Sequence, residues 1–230
     1  MKVLSIDFDY FPIVSKDILD KFPDGVDQPA EISRIIWAAR YASYPELKEI
    51  EINKVELDRI EKIISRQRHS TPCLIAQSHV HAYRFILDHL KDEDGVELVN
   101  VDFHNDITND NKRLDCGNWI MHLIEELLRN KKDFHLDWVI NPESLKVIHA
   151  EEFRPYVKES LSEYMDTKFD AVFLCRSDNW LPPHLDRYFT ELTICCKAST
   201  TCRMVDDMRD RQYEEYEKEV RARINGIKNT

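Results

Sequence analysis

Glycine is scarce in this chain. Only four of its 230 residues are glycine and nine are proline, which leaves little room for flexible linkers and excludes a collagen-like or low-complexity architecture. Positive charge is also short. Against 43 Asp and Glu stand 32 Lys and Arg, and the formal net charge of −11 would repel a phosphate backbone, so nucleic acid is not an expected partner. Metal ions or a cationic ligand would be welcome. The six cysteines (Cys73, Cys116, Cys175, Cys195, Cys196 and Cys202) include no C-x-x-C pair, and "MKVLSIDFDYF" reads as a strand rather than an export signal. Both features predict a cytoplasmic protein with reduced thiols. No apolar run approaches the roughly 20 residues that span a bilayer, so no membrane association is expected.

What the chain does have is an ordinary globular composition, 43% hydrophobic and 10% aromatic, enough for one sizeable core. A single domain over 1–230 is expected. Short apolar, β-branched runs recur at 2–6, 71–77, 96–101, 136–141, 145–150 and 170–175, with a further candidate strand at 191–196. Charge-rich segments with helical spacing lie between most of them, at 54–67, 80–91, 117–130 and 154–166, and 203–228 reads as a charged C-terminal helix. This alternation predicts a three-layer α/β/α fold with a mainly parallel sheet.

In such sheets the ligand site lies beyond the carboxyl ends of the strands. Nearly every predicted strand ends in acid or imidazole: Asp7 and Asp9; His79 and His81; Asp102, His104 and Asp106; His149, Glu151 and Glu152; Arg176 and Asp178. Carboxylates with one or two imidazoles and no thiolate suit a hard or borderline divalent ion such as Mn²⁺. Four or five Asp carry enough charge for two ions, and a pair roughly 3.5 to 4 Å apart can activate one water. D-x-H-x-D after a buried strand is the most specific of these patterns. The same residues also have plainer uses: Asp7 and Asp9 as a strand-end turn, Glu151 and Glu152 as the start of a helix, one of His79 and His81 as a packed residue, and the cysteines as small hydrophobes.

"VDFHNDIT" resembles the D-x-H-x-D-I segment of the arginase family, and "SIDFDYFP" resembles that family's S-x-D-x-D-x-x-D-P segment. "DCGNWI" is similar to the S-G-N loop that meets the substrate, and "IAQSH" to a strand ending in a His ligand. With "WVINPES", the pattern is most similar to the peptide arginases, which convert arginine side chains in ribosomally made peptides to ornithine. Three features differ from ordinary arginases. The S-x-D-x-D segment precedes D-x-H-x-D here, its third acid is missing, and Ile120 stands where an arginase offers a proton-transferring His.

The resemblance implies that Asp7, Asp9, His79, Asp102, His104 and Asp106 bind two Mn²⁺ ions. It implies hydrolysis of an arginine guanidinium, within a precursor peptide, to ornithine and urea. Candidates for the remaining roles are His81 or His122 as general acid, Asp178 with Glu151 or Glu152 as guanidinium partner, and Cys116 and Asn118 as substrate contacts. Whether the chain forms a homo-oligomer is left open. Competing readings are another arginase-like hydrolase of guanidino or acyl-amine compounds, and an aspartate-nucleophile phosphohydrolase using Asp7 and Asp9 with the late acidic pair in "VDDMRD". A non-catalytic protein stapled by metal is the third.

Overall fold

A computed structural model describes residues 1–108, 113–141, 156–158, 160–197, 199–206 and 208–228. Strand β1 (Lys2–Asp7) is followed by a 3₁₀ turn, and β2 (Pro12–Ile13) pairs antiparallel with β3 (Glu51–Ile52) in a small side sheet. Between β2 and β3 lie the single turn α1 (Lys16–Leu19) and the helix α2 (Ala30–Ser43). Next come α3 (Lys54–Ser65), β4 (Cys73–Ala76), α4 (Val80–Leu90), β5 (Gly95–Asp102), α5 (Trp119–Arg129) and β6 (Asp133–Ile140). The described chain then runs through β7 (Val157–Lys158), β8 (Ala171–Cys175), α6 (Asp186–Lys197), β9 (Cys202–Met204) and α7 (Glu214–Lys228).

Among the described residues seven strands form one parallel sheet in the order β7-β6-β5-β1-β8-β4-β9. Successive side chains of a strand point to opposite faces, and here both faces are apolar. Leu4, Ile6, Val172 and Leu174 pack beneath α2, α3 and α6, while Val3, Ala171 and Phe173 pack beneath α4 and α5. The expected three-layer α/β/α architecture is therefore present, and its doubly covered strands are the near-continuous apolar runs of the sequence. From β1 the chain moves outward to β4 on one side, then returns to β5 on the other. The strand order thus reverses around β1, at the place where such sheets bind ligands.

Several predicted elements differ. Residues 191–196 belong to α6, not to a strand: Asp186, Phe189, Leu192, Thr193 and Cys196 are buried at helical spacing, and a short apolar run has no unambiguous period. The helix expected over 154–166 is, in its described part, strand β7 and a 3₁₀ turn at Leu161–Tyr164 capped by Ser160. The terminal helix begins only at Glu214, because 202–204 joins the sheet and Arg211 is drawn into a buried ion pair with Asp186. The candidate strand 145–150 lies outside the described residues. Among the described residues no helix is long and apolar enough to cross a membrane.

Candidate metal centre

The carboxyl ends of β1, β4 and β5 converge above the sheet. Asp7 closes β1 and accepts the backbone N–H of Asp9, so the turn that follows carries both carboxylates to one side. Asp102 closes β5 fully buried, its Oδ2 held by Asn100 Nδ2 at 3.1 Å and its Oδ1 by the His104 backbone N–H at 2.7 Å. His79 comes from the start of α4 after β4. Its ring stacks parallel to Phe173 of β8 and lies against Trp119, and its Nε2 is 2.6 Å from Ser5 Oγ. The imidazole is thereby locked with Nδ1 pointing inward.

That inward nitrogen meets three carboxylates at once: Asp106 Oδ2 at 2.9 Å, Asp102 Oδ2 at 3.1 Å and Asp7 Oδ2 at 3.2 Å. None of these contacts has hydrogen-bond alignment, and Nδ1 is buried without a hydrogen-bonding partner. Asp9 Oδ2 is in the same state, although His104 Nδ1 lies 2.8 Å away. Ligand-grade atoms within 4.8 Å of one another, some of them buried without a hydrogen-bond partner, are a donor set that could hold a cation. Among the described residues there are two such sets, Asp7–His79–Asp102 and Asp9–Asp102–His104, and Asp102 belongs to both.

Electrostatics agree. Burial, then the charge of Asp9, raises the pKa of Asp7; burial, then Asp102, raises that of Asp9. Asp102 is pushed up to about 8 by burial and by Asp106. Burial alone would lower both histidines, yet the close carboxylates of Asp102, Asp106 and Asp7 hold His79 well above its usual value, and Asp9 is the main cause that lifts His104 to about 10. Asp7, Asp9 and Asp102 are thus held toward their protonated forms, as mutually repelling buried carboxylates are when no cation compensates them. Asp7, Asp9, Asp102 and Asp106 together match the charge of two divalent ions, so the residues fit a dinuclear centre.

No protein-family model, curated protein or solved structure matches this chain. The assignment therefore rests on geometry. Beside the cluster opens a cavity of about 580 Å³, lined by Asp7, His104, Asp106, Asp27, Cys116 and Trp180 among others, a size that suits a small ligand or a side chain. Asp106 (φ 52°) and Ser177 (φ 59°) line it in the left-handed region. Backbone strain of this kind collects at functional sites.

The six predicted metal ligands are thus brought together, and His79 rather than His81 is the imidazole that enters. His81 is half exposed, with Nε2 3.8 Å from Asp206 Oδ2, and neither it nor His122 on α5 lines the cavity. Cys116 does, with its thiol pKa raised by burial and then by Asp27. Asn118 does not: its side chain accepts from the Asp115 N–H and donates to the Arg113 carbonyl, so it shapes the loop's own backbone. Asp178 must be corrected as a guanidinium partner. It is fully buried and already paired with Arg176 through both carboxylate oxygens. His149, Glu151 and Glu152 lie outside the described residues, as does Asp207 of "VDDMRD". Asp206 is bound to the Gln77 N–H, away from the cluster.

Two residues escaped the sequence reading. Trp119 donates its indole N–H to Asp106 Oδ2 at 2.5 Å and so orients that carboxylate; it stood in "CGNW", quoted for a different role. Asp27 comes from the irregular loop "PDGVDQP", where nothing marks it out from any surface acid. Its Oδ1 accepts the Asn179 N–H at 3.1 Å, its Oδ2 is buried without a partner, and it lines the cavity. Burial, then the charge of Asp7, raises its pKa to about 7.

Proposed function

We propose that the protein is a Mn²⁺-dependent hydrolase that converts arginine side chains within a peptide to ornithine, releasing urea. The observation that carries this reading is the pair of buried carboxylate–imidazole sets sharing Asp102, beside a cavity with four carboxylates, those of Asp7, Asp27, Asp106 and Asp115, in its wall. Bound divalent ions would polarise water and make it nucleophilic at neutral pH. Carboxylates and imidazoles without thiolate favour Mn²⁺ among the candidates.

The chain's own residues then have separable tasks. Asp27 offers its unpartnered oxygen to the guanidinium, a cation at every physiological pH that pairs well with carboxylate. Trp180 and Val26 flank the aliphatic stem of the arginine. Trp119 keeps Asp106 turned into the cluster, and Ser5 keeps His79 from rotating. No Lys or Arg is among the described residues lining the cavity, so none of those residues offers a positive charge to the α-carboxylate of free arginine. A peptide bond removes that charge, which supports a peptide substrate.

The test is mass spectrometry of an arginine-containing peptide and of free arginine, each incubated with Mn²⁺-loaded protein and with D102A. Conversion of arginine to ornithine in the peptide, absent with D102A, is the expected result. Turnover of free arginine alone would make the protein a small-molecule ureohydrolase. Conversion of neither substrate would overturn the guanidinium chemistry and favour acyl-amine hydrolysis at the same cluster.

A further inference from the structure

Four of the six cysteines gather at the end of the sheet opposite to the acid–imidazole cluster. Cys73 opens β4 and Cys202 opens β9, and the two stand directly opposite each other in the parallel ladder. Facing residues on adjacent strands project from the same face, and strands lie about 4.8 Å apart. That separation falls inside the Cα window a disulfide needs, about 4.4 to 6.8 Å. The carboxyl-terminal turn of α6 brings Cys196 to the same place, where it lines one small cavity with Cys73. A small cavity of about 70 Å³ opens there, lined by Cys73, Cys195 and Cys196. All six cysteines are free thiols.

We propose that Cys73 and Cys202 form a reversible disulfide, making this end of the sheet a site of thiol oxidation separate from the metal centre. Cys202 is the entry point. It is half-buried while Cys73 and Cys196 are buried, and it lies on the edge strand of the sheet. The oxidant is a small-molecule disulfide. The Cys202 sulfur, having given its proton to solvent, attacks one sulfur of the oxidant; the oxidant's S–S bond breaks and one small thiol leaves with a proton. Cys73 then attacks Cys202 Sγ, its own proton passing to the second small thiol. Two protein thiols are oxidised by two electrons and two small thiols are produced. The ladder fixes the Cys73–Cys202 pair through two backbones, whereas Cys196 reaches Cys73 only by its side chain across the sheet–helix interface.

The neighbouring thiol and burial keep Cys73 and Cys202 protonated at neutral pH, so this pair answers sustained oxidation rather than turning over rapidly. The bond would close residues 74–201 into a covalent loop and fasten β9, whose following segment carries Arg211 to Asp186 beside the cavity-lining Ser177 loop.

The test is full-length protein incubated with oxidised glutathione under native conditions, alkylated, and mapped by non-reducing peptide mass spectrometry. A Cys73–Cys202 cross-link is expected, reversed by dithiothreitol, lost in C202S, retained in C195S and C196S, and accompanied by a higher melting temperature. The wild-type map alone decides the matter if a variant fails to fold. A Cys73–Cys196 bond, glutathione retained on Cys202 with no internal bond, a cross-link formed only in denaturant, or no reaction would each overturn the proposal. None of these readouts depends on arginine chemistry.

Discussion

Asp27 shows how one unsatisfied atom can define a role. A buried carboxylate oxygen without a partner costs free energy unless a ligand satisfies it, and the residue that carries this one lines the cavity beside the cluster. On the proposed function, D27N should match wild type in metal content by elemental analysis, while KM for an arginine peptide rises roughly 10- to 100-fold, the loss of one charge-assisted contact. An unchanged KM would remove Asp27 from substrate binding. His184 makes a different kind of prediction. Its Nε2–H donates to the Ile50 carbonyl and its Nδ1 accepts from Tyr41, so the neutral ring is fully used, and burial lowers its pKa. A lowered histidine contributes stability above its unfolded value of about 6.5 and loses it as the pH falls toward the folded value. Denaturant titrations at about pH 7.5 and about pH 5.5 should show wild type losing more stability on acidification than H184Q; equal losses would place the pH dependence elsewhere. Asp178 marks the limit of reading residues by position. It follows a strand as a ligand should, but "CRSD" places Arg176 two residues earlier on the same side, and the two satisfy each other.

The elements that were legible are those buried on both faces. β1, β4, β5, β6 and β8 appear in the sequence as apolar runs because helices cover them above and below, and α3, α4 and α5 appear through their periodic buried stripes. β7 and β9, two and three residues long at the sheet edges, have too few residues to show a period. The strand-end rule picked out the acid–imidazole cluster for the same reason it missed Asp27, which reaches the site from a loop rather than from the sheet. Gly95 reveals how closely β5 and β6 approach. A Cβ there would lie 2.3 Å from the Asp133 carbonyl oxygen, at the first pair of their ladder. G95A should therefore lower stability by about 1–3 kcal/mol, read as an earlier urea midpoint; an unchanged midpoint would mean the strands part there without cost.

Over the whole molecule, a metal-binding acid–imidazole cluster would tie stability to metal. Burying carboxylates that repel one another is unfavourable until cations compensate them, so chelation should lower the melting temperature and added Mn²⁺ should raise it. Each tenfold excess of free ion over its dissociation constant adds about 1.4 kcal/mol per site. A melting temperature insensitive to both treatments would overturn the metal centre. The net charge of −11 would attract such ions from a distance, and the sheet order sets where the cluster lies, by placing β1 between β5 and β8. That order has a further effect during synthesis. Ile6 pairs with Val101 on one side and Leu174 on the other, so the central strand is made long before either neighbour. Until those neighbours leave the ribosome, its apolar residues stand open on both edges, available to a chaperone or to another nascent chain.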